Sequence, residues 1–134
     1  MSGNDVQARY IAPVASDDNG LSVAATLSGA GNLTIGGALA DGGSVTLTDA
    51  RNVIITSAGD DRGITFTFTG TDESGDAQTE VITGANAGVA TGTSYFTTIT
   101  QIAASGASAG NVEAGTGTAV AAEVTGNRVM LRGL

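Results

Sequence analysis

The chain has 134 residues, a formal net charge of -8, and neither cysteine nor histidine. The lack of cysteine excludes disulfides and thiolate metal sites, and the lack of histidine removes the commonest general base and metal ligand. Ser-His-Asp, Cys-His and zinc-hydrolase centres are therefore excluded. The acidic balance, with five scattered arginines as the only basic residues, argues against nucleic-acid binding.

The first 20 residues differ in character from the rest of the chain. They contain the single proline next to aromatic and aliphatic residues, and they show neither a period of two nor one of 3.6. We therefore predict an extended N-terminal arm over residues 1–20, which ends in a turn. The candidate partner contacts of this arm are Arg9, Tyr10, Ile11 and Pro13. A frayed terminus is the alternative interpretation.

Short strand candidates separated by turn residues follow the arm. The predicted strands cover residues 21–27, 33–35, 44–48 and 53–56, and the predicted turns after the last two cover residues 49–52 and 57–62. The segment from Val53 to Ile55 is apolar throughout, which is typical of a strand covered on both faces.

A β-hairpin is the clearest local prediction. From Gly63 to Gly70 the side chains alternate, with isoleucine and phenylalanine on one face and threonine on the other. A polar loop over residues 71–76 leads to a second strand over residues 77–83. After a Gly/Ala/Asn loop, a third strand is predicted over residues 94–102. All three phenylalanines lie in this stretch, so the core is expected here.

The C-terminal part is rich in small residues. A loop is predicted over 103–111, a weak strand over 112–114, a turn over 115–118, a strand or short helix over 119–124 and a terminal strand over 127–132. Because short strands recur between turns and no long helical pattern occurs, we predict an all-β fold. The expected architecture is a single antiparallel β-sandwich or barrel domain over residues 21–134.

Neither a membrane span nor a secretion signal is expected. No apolar run approaches the roughly 20 residues that cross a bilayer. The first residues also lack the charged and apolar regions of a signal peptide. We therefore expect no membrane partner and synthesis in a cytoplasm.

Acidic residues cluster around the turn of the predicted hairpin, at Asp72, Glu73, Asp76 and Glu80. Carboxylate oxygens on a glycine-containing loop are the ligands that Ca²⁺ prefers, but this spacing does not match an EF-hand. Aspartate and glycine also favour a hairpin turn for the sake of its own backbone. We therefore predict a structural turn with no metal site and no cofactor, and Ca²⁺ binding by this loop is the alternative interpretation.

A second acidic pair, Asp60 and Asp61, precedes Arg62, which is expected to offset their charge. Paired carboxylates can hydrolyse a glycosidic bond. The chain has no tryptophan and only two tyrosines to hold a sugar, so a carbohydrate site is disfavoured. No catalytic residue is predicted, and the chain is not expected to be an enzyme.

Four segments resemble tailed-bacteriophage virion structural proteins. They are FTFTGTD at residues 66–72, EVITG at 80–84, GTSYFTTI at 92–99 and SGASAGNV at 105–112. The small, acidic, cysteine-free composition is most similar to that of capsid cement, or decoration, proteins. The motifs are strand and turn patterns within residues 66–115, a region that covers somewhat over a third of the chain, and they carry no catalytic residues.

This resemblance implies a protein on the outer surface of the mature icosahedral head. There it would bridge neighbouring major capsid protein subunits, associate with further copies of itself and stabilise the shell. One alternative is another virion component, such as a tail, head–tail connector or receptor-binding fibre domain. The other is a non-viral carbohydrate-binding or adhesive β-module.

Overall fold

The computed structural model describes residues 16–120, with side chains described as far as Thr118. This part of the chain forms a 9-stranded sheet without any helix, and every pair of strands is antiparallel. The predicted all-β antiparallel class is therefore confirmed. The strands are β1 Asp17–Thr26, β2 Gly31–Asn32, β3 Ala40–Asp41, β4 Ser44–Asp60, β5 Thr65–Thr71, β6 Ala77–Thr83, β7 Asn86–Thr91, β8 Phe96–Ala104 and β9 Asn111–Val120.

The main strands follow the order β1-β9-β4-β8-β5-β6, with β3 and β7 pairing with β4 and β2 pairing with β8. The sheet is open, because within the described residues β1 and β6 do not pair with each other. Leu21 of β1 and Ile82 of β6 nevertheless belong to the same buried cluster. The sheet must therefore curve around one core, as in sandwich-like folds.

Strand β4 connects the two halves of the sheet. Along one edge it pairs first with β8, where Phe96 lies opposite Arg51, and then with β7, where Thr91 lies opposite Ile54. Strand β9 lies along the other edge, with Val120 opposite Arg51. β7 and β8 thus follow one another along the same edge of β4.

The core contains the residues that the sequence pattern placed there. Phe66 and Phe68 are fully buried, while the threonines that alternate with them are partly exposed, which confirms the period of two in β5. The segment from Val53 to Ile55 is buried throughout, as predicted. Burial of a Phe, Ile or Val side chain stabilises the fold by roughly 1.5–3 kcal/mol. The large side chains on β4, β5 and β8 therefore carry most of the stability.

The predicted turns at 49–52 and 57–62 are largely wrong, because β4 continues from Ser44 to Asp60. Two polar residues that indicated a turn are instead buried with partners. The Arg51 guanidinium donates to the Gly117 carbonyl oxygen, and the Asn52 amide nitrogen donates to the Gly92 carbonyl oxygen at 3.2 Å. Buried polar groups that find hydrogen-bond partners can occupy the middle of a strand.

The predicted turn at 115–118 is also wrong, because β9 runs without interruption from Asn111 to Val120. A Cβ atom on Gly115 would overlap the Asp17 carbonyl oxygen of β1. Glycine is therefore required there by the close approach of a neighbouring strand. Ala119 and Val120, the start of the predicted strand or helix, are in the strand; the rest of that segment and the predicted terminal strand lie outside the described residues.

Two smaller differences concern β2 and β7. The predicted strand at 33–35 is not a strand; the pairing with β8 occurs just before it, at Gly31–Asn32, and Leu33 and Ile35 are buried in the core. The predicted loop after the hairpin contains strand β7, which pairs with β4. Both pairings join segments that are distant in sequence, so local patterns do not reveal them.

Candidate functional surface

The predicted arm contacts Arg9, Tyr10, Ile11 and Pro13 lie outside the described residues. Strand β1 begins at Asp17, inside the segment that the sequence pattern assigned to the arm. Its pairing with β9 brings Asp17 opposite Thr116. Residues 17–20 are therefore part of the sheet.

The acidic loop after β5 forms a hairpin turn. The Asp72 carboxylate accepts hydrogen bonds from the backbone N–H groups of Ser74 at 2.8 Å and Asp76 at 3.0 Å, and the Asp72 N–H donates to the Asp76 carbonyl oxygen. In the described part of the chain, no group of three or more His, Cys, Asp or Glu residues is placed to hold a metal ion. The structure thus gives Asp72 a direct role in the turn.

Glu80, the fourth acidic residue of that cluster, points away from the turn. Its carboxylate accepts hydrogen bonds from the backbone N–H groups of Thr93 at 2.7 Å and Ser94 at 3.2 Å. Next to it, the Gln78 amide donates to the Tyr95 carbonyl oxygen at 2.7 Å. The inward side chains of β6 are thus fixed to the segment that joins β7 and β8.

The second acidic pair is divided between two environments. Arg62 contacts both carboxylate oxygens of Asp60 at 2.8 Å, and this hydrogen bonding lowers the pKa of Asp60 to about 2. Asp61 is buried instead, and its Oδ1 accepts a hydrogen bond from the Ala109 N–H at 2.7 Å. Arg62 therefore offsets the charge of Asp60, while Asp61 fixes the loop before β9.

The outward side of strands β6, β5 and β8 forms a surface that we call the threonine face. The rows across the three strands include Val81–Thr67–Ala103 and, next to it, Thr79–Thr69–Gln101. The full set of outward residues is Thr65, Thr67, Thr69, Thr71, Ala77, Thr79, Val81, Thr83, Thr98, Thr100, Gln101 and Ala103.

No member of the threonine face is charged, although the chain as a whole is strongly acidic. Glu80 lies on β6, but its side chain points to the opposite side of the sheet, where it binds Thr93. Some of the hydroxyls bond to each other, such as Thr71 and Thr98 at 2.6 Å. The face therefore presents methyl and hydroxyl groups in regular rows, which suits contact with another neutral protein surface better than attraction of an ion.

A shallow pocket lies where β1, β4, β7 and β9 meet. Its volume is about 230 Å³, below the usual range of ligand pockets. Among the described residues that line it, Asp18 is the one acidic side chain, and none is basic. The lining consists of Ser16, Asp18, Asn52, Ile54, Val89, Thr91, Gly117 and Thr118.

Burial changes the pKa of Arg51, which lies near this pocket. Removal from water lowers the pKa of the Arg51 guanidinium, and the negative charge of Asp17 opposes that shift. An arginine remains charged under all ordinary conditions. Arg51 therefore acts here by holding β9 against β4 through the Gly117 carbonyl oxygen.

Comparison with known protein families, with curated proteins and with solved structures finds no match to this chain. Within residues 16–120 there is also no helix with the length and apolar character of a membrane span.

The threonine face was not among the sequence-predicted sites. The sequence does indicate the part of the face on β5 and β6, because threonines alternate along residues 65–71 and recur on the returning strand. The part of the face on β8 cannot be recognised from the sequence, because β8 pairs with β5 through residues that are distant in the chain, such as Ala103 with Thr67.

Proposed function

We propose that this chain is a capsid cement protein of a tailed bacteriophage. It binds the outer surface of the mature icosahedral head and stabilises the shell by bridging neighbouring major capsid protein subunits. It acts through contacts and not through catalysis. This makes the virion surface its place of action, after synthesis in the host cytoplasm.

The observation that carries this proposal is the uncharged threonine face on an otherwise acidic, open β-sheet. The same residues connect the face to the resemblance with virion proteins. Strand β5 lies within residues 66–72 apart from its first residue, and residues 80–84 and 92–99 supply parts of β6 and β8. Three of the four segments that are similar to virion proteins thus contribute residues to the threonine face, while the fourth, residues 105–112, covers the loop before β9 and the start of that strand.

The proposed mechanism depends on repetition. A contact formed by one such face is weak, but many copies held on a symmetric shell add their contacts to a large resistance against internal pressure. The arm also binds a neighbouring subunit, for example by adding a strand to its sheet. Its contact residues are Arg9, Tyr10, Ile11 and Pro13. The acidic remainder of the surface repels DNA.

The test is binding of the purified protein to heads that lack it. The full chain is compared with a variant that starts at Ser16, because β1 begins at Asp17 and a later start would cut this strand. Saturable binding at hundreds of copies per head is the expected result for the full chain. Loss of binding without the arm assigns the anchor to residues 1–15, and equal binding by both assigns it to the sheet.

Two other results would replace this function. Binding at tens of copies or fewer, confined to the vertex or tail, would favour a connector, tail or fibre component. No binding to heads, together with glycan binding, would favour an adhesive module. In that case chelator treatment and the double variant Asp72→Asn, Asp76→Asn would show whether Ca²⁺ is involved.

A further inference from the structure

Strand β6 forms one end of the sheet, and its outer edge has no strand partner within the described residues. Its inner edge pairs with β5 over the whole length, from Thr83 opposite Thr65 to Ala77 opposite Thr71, without a register shift. A regular edge strand presents a row of unpaired backbone N–H and C=O groups. Such a row can pair with another strand.

Most of the usual devices that block edge pairing are missing from β6. The strand has no proline, no lysine and no bulge, and its outward side chains are neutral. Val81, in the middle of this outward row, is 61% exposed. An exposed β-branched side chain on a regular edge marks β6 as a pairing site.

Glu80 is the one charged residue of β6, and it limits how two such strands can pair. In an antiparallel pair that is symmetric about Glu80, the two glutamates would lie directly opposite each other, with Cβ atoms about 5 Å apart, and their like charges would repel. In a pair that is symmetric about Val81, Glu80 lies opposite Ile82, and Thr79 lies opposite Thr83. This register also leaves Glu80 free to keep its hydrogen bonds with Thr93 and Ser94.

We propose that β6 is a self-association edge. Two copies of the chain pair β6 with β6 in antiparallel orientation about a two-fold axis at Val81, so that the sheet and its threonine face continue from one copy to the next. The partner is a second copy because identical neutral rows complement each other in a two-fold contact. A basic partner would instead be attracted to the acidic surfaces elsewhere on the molecule.

The contact is weak in dilute solution. Two seven-residue strands that pair only at their edges bury less than the area of a standard stable interface. Dimers therefore form at high protein concentration, or where copies are held side by side. Because this pairing involves copies of the chain alone, it is tested without heads, and its failure would be distinguishable from a failure of the cement proposal.

The experiment is sedimentation equilibrium of the full chain up to about 1 mM, a range that covers weak dimers. The variants are Val81→Lys and Val81→Glu, measured alone and as an equimolar mixture. Val89→Lys is the matched control, since Val89 is likewise an exposed valine, at 53%, but lies in strand β7 and not in β6. Circular dichroism verifies that each variant is folded.

The wild type and Val89→Lys are expected to dimerise alike. Each Val81 variant alone should dimerise at least about tenfold more weakly, because like charges meet at the axis. The mixture should recover at least wild-type association, since lysine then faces glutamate. This recovery could not come from variants that fail to fold.

Three results would overturn the proposal. If the wild type stays monomeric at about 1 mM, β6 does not pair with a second copy, and a strand of a different protein becomes its partner instead. Equal weakening by Val89→Lys places the contact elsewhere. Single Val81 variants that lose dimerisation without recovery in the mixture rule out the axis at Val81.

Discussion

The Glu80 carboxylate accepts a hydrogen bond from the backbone N–H of Thr93 at 2.7 Å, and this bond joins the terminal strand β6 to the segment between β7 and β8. The other carboxylate oxygen accepts from the Ser94 N–H at 3.2 Å. One side chain therefore satisfies two backbone donors of an irregular segment. Since β5 is the one strand that pairs with β6 within residues 16–120, Glu80 is a major link between β6 and the rest of the sheet.

Replacing Glu80 by alanine is expected to lower the free energy of unfolding by about 1–2 kcal/mol, because two backbone donors lose a charged acceptor. Urea denaturation measures the change. The matched control is Glu73→Ala in the exposed hairpin turn, for which a change within about 0.5 kcal/mol is expected. Equal losses in the two variants would contradict the role of Glu80.

Asp61 is expected to need its hydrogen-bond acceptor and not its charge. Its Oδ1 accepts from the Ala109 N–H at 2.7 Å, whereas its buried Oδ2 has no partner in the structure. Asp61→Ala should lower the free energy of unfolding by about 1–3 kcal/mol, because it leaves a buried donor unpaired. Asp61→Asn keeps an acceptor, so it should cost less than half of that loss.

Hydrogen exchange at the Ala109 amide separates these two variants further. Protection should fall in Asp61→Ala and persist in Asp61→Asn, since the bond to Ala109 survives only in the second. If Asp61→Asn destabilises the protein as much as Asp61→Ala, the charge itself is required, and this interpretation of Asp61 is wrong.

The carboxyl group of Asp60 should titrate at about pH 2 in the folded protein, below its ordinary value of 3.8, because of hydrogen bonds from Arg62. A depressed pKa means that the stabilising contribution is fully present above the unfolded pKa and is lost as the pH falls from 3.8 through 2. Titration of the Asp60 carboxyl carbon by NMR measures this midpoint directly.

Arg62→Gln should return the Asp60 midpoint towards 3.8, and Arg62→Lys should give an intermediate value. Lysine keeps the positive charge but cannot make the two parallel contacts that Arg62 makes with Asp60. A midpoint that remains at about 2 in Arg62→Gln would show that another group depresses it.

Gly70 is expected to tolerate no side chain. A Cβ atom there would overlap the Thr98 carbonyl oxygen of β8, whereas a Cβ atom on Gly63 meets nothing within 4 Å. Gly70→Ala should therefore cost about 1–3 kcal/mol through strain between β5 and β8. Gly63→Ala should change stability by less than about 0.5 kcal/mol. Thermal unfolding of both variants tests this, and equal midpoints would contradict the close packing at Gly70.

The sequence was a good guide wherever the structure depends on neighbouring residues. The β5–β6 hairpin was predictable because its alternation and its turn residues, including Asp72, are local. The continuity of β4 was not, because Arg51 looks like a turn residue until its partner Gly117, far along the chain, is known. The same holds for β9, where Gly115 serves the close approach of β1.

The candidate site was predictable in part for the same reason. The sequence placed threonines on the outward side of β5, but the width of the threonine face depends on β8, whose pairing with β5 joins distant segments. The arm residues Arg9, Tyr10, Ile11 and Pro13 remain predictions, because they lie outside the described residues. Nothing local in β6 indicated that it would end the sheet.

The most direct test of the cement function is the temperature at which heads release their DNA, measured with increasing occupancy by this protein. Heads that lack the protein are incubated with the full chain, and DNA release is followed by dye fluorescence during heating. If the protein is a cement, the release temperature is expected to rise with occupancy until binding saturates. A release temperature that stays unchanged at full occupancy would contradict a stabilising role, even if the protein binds the shell.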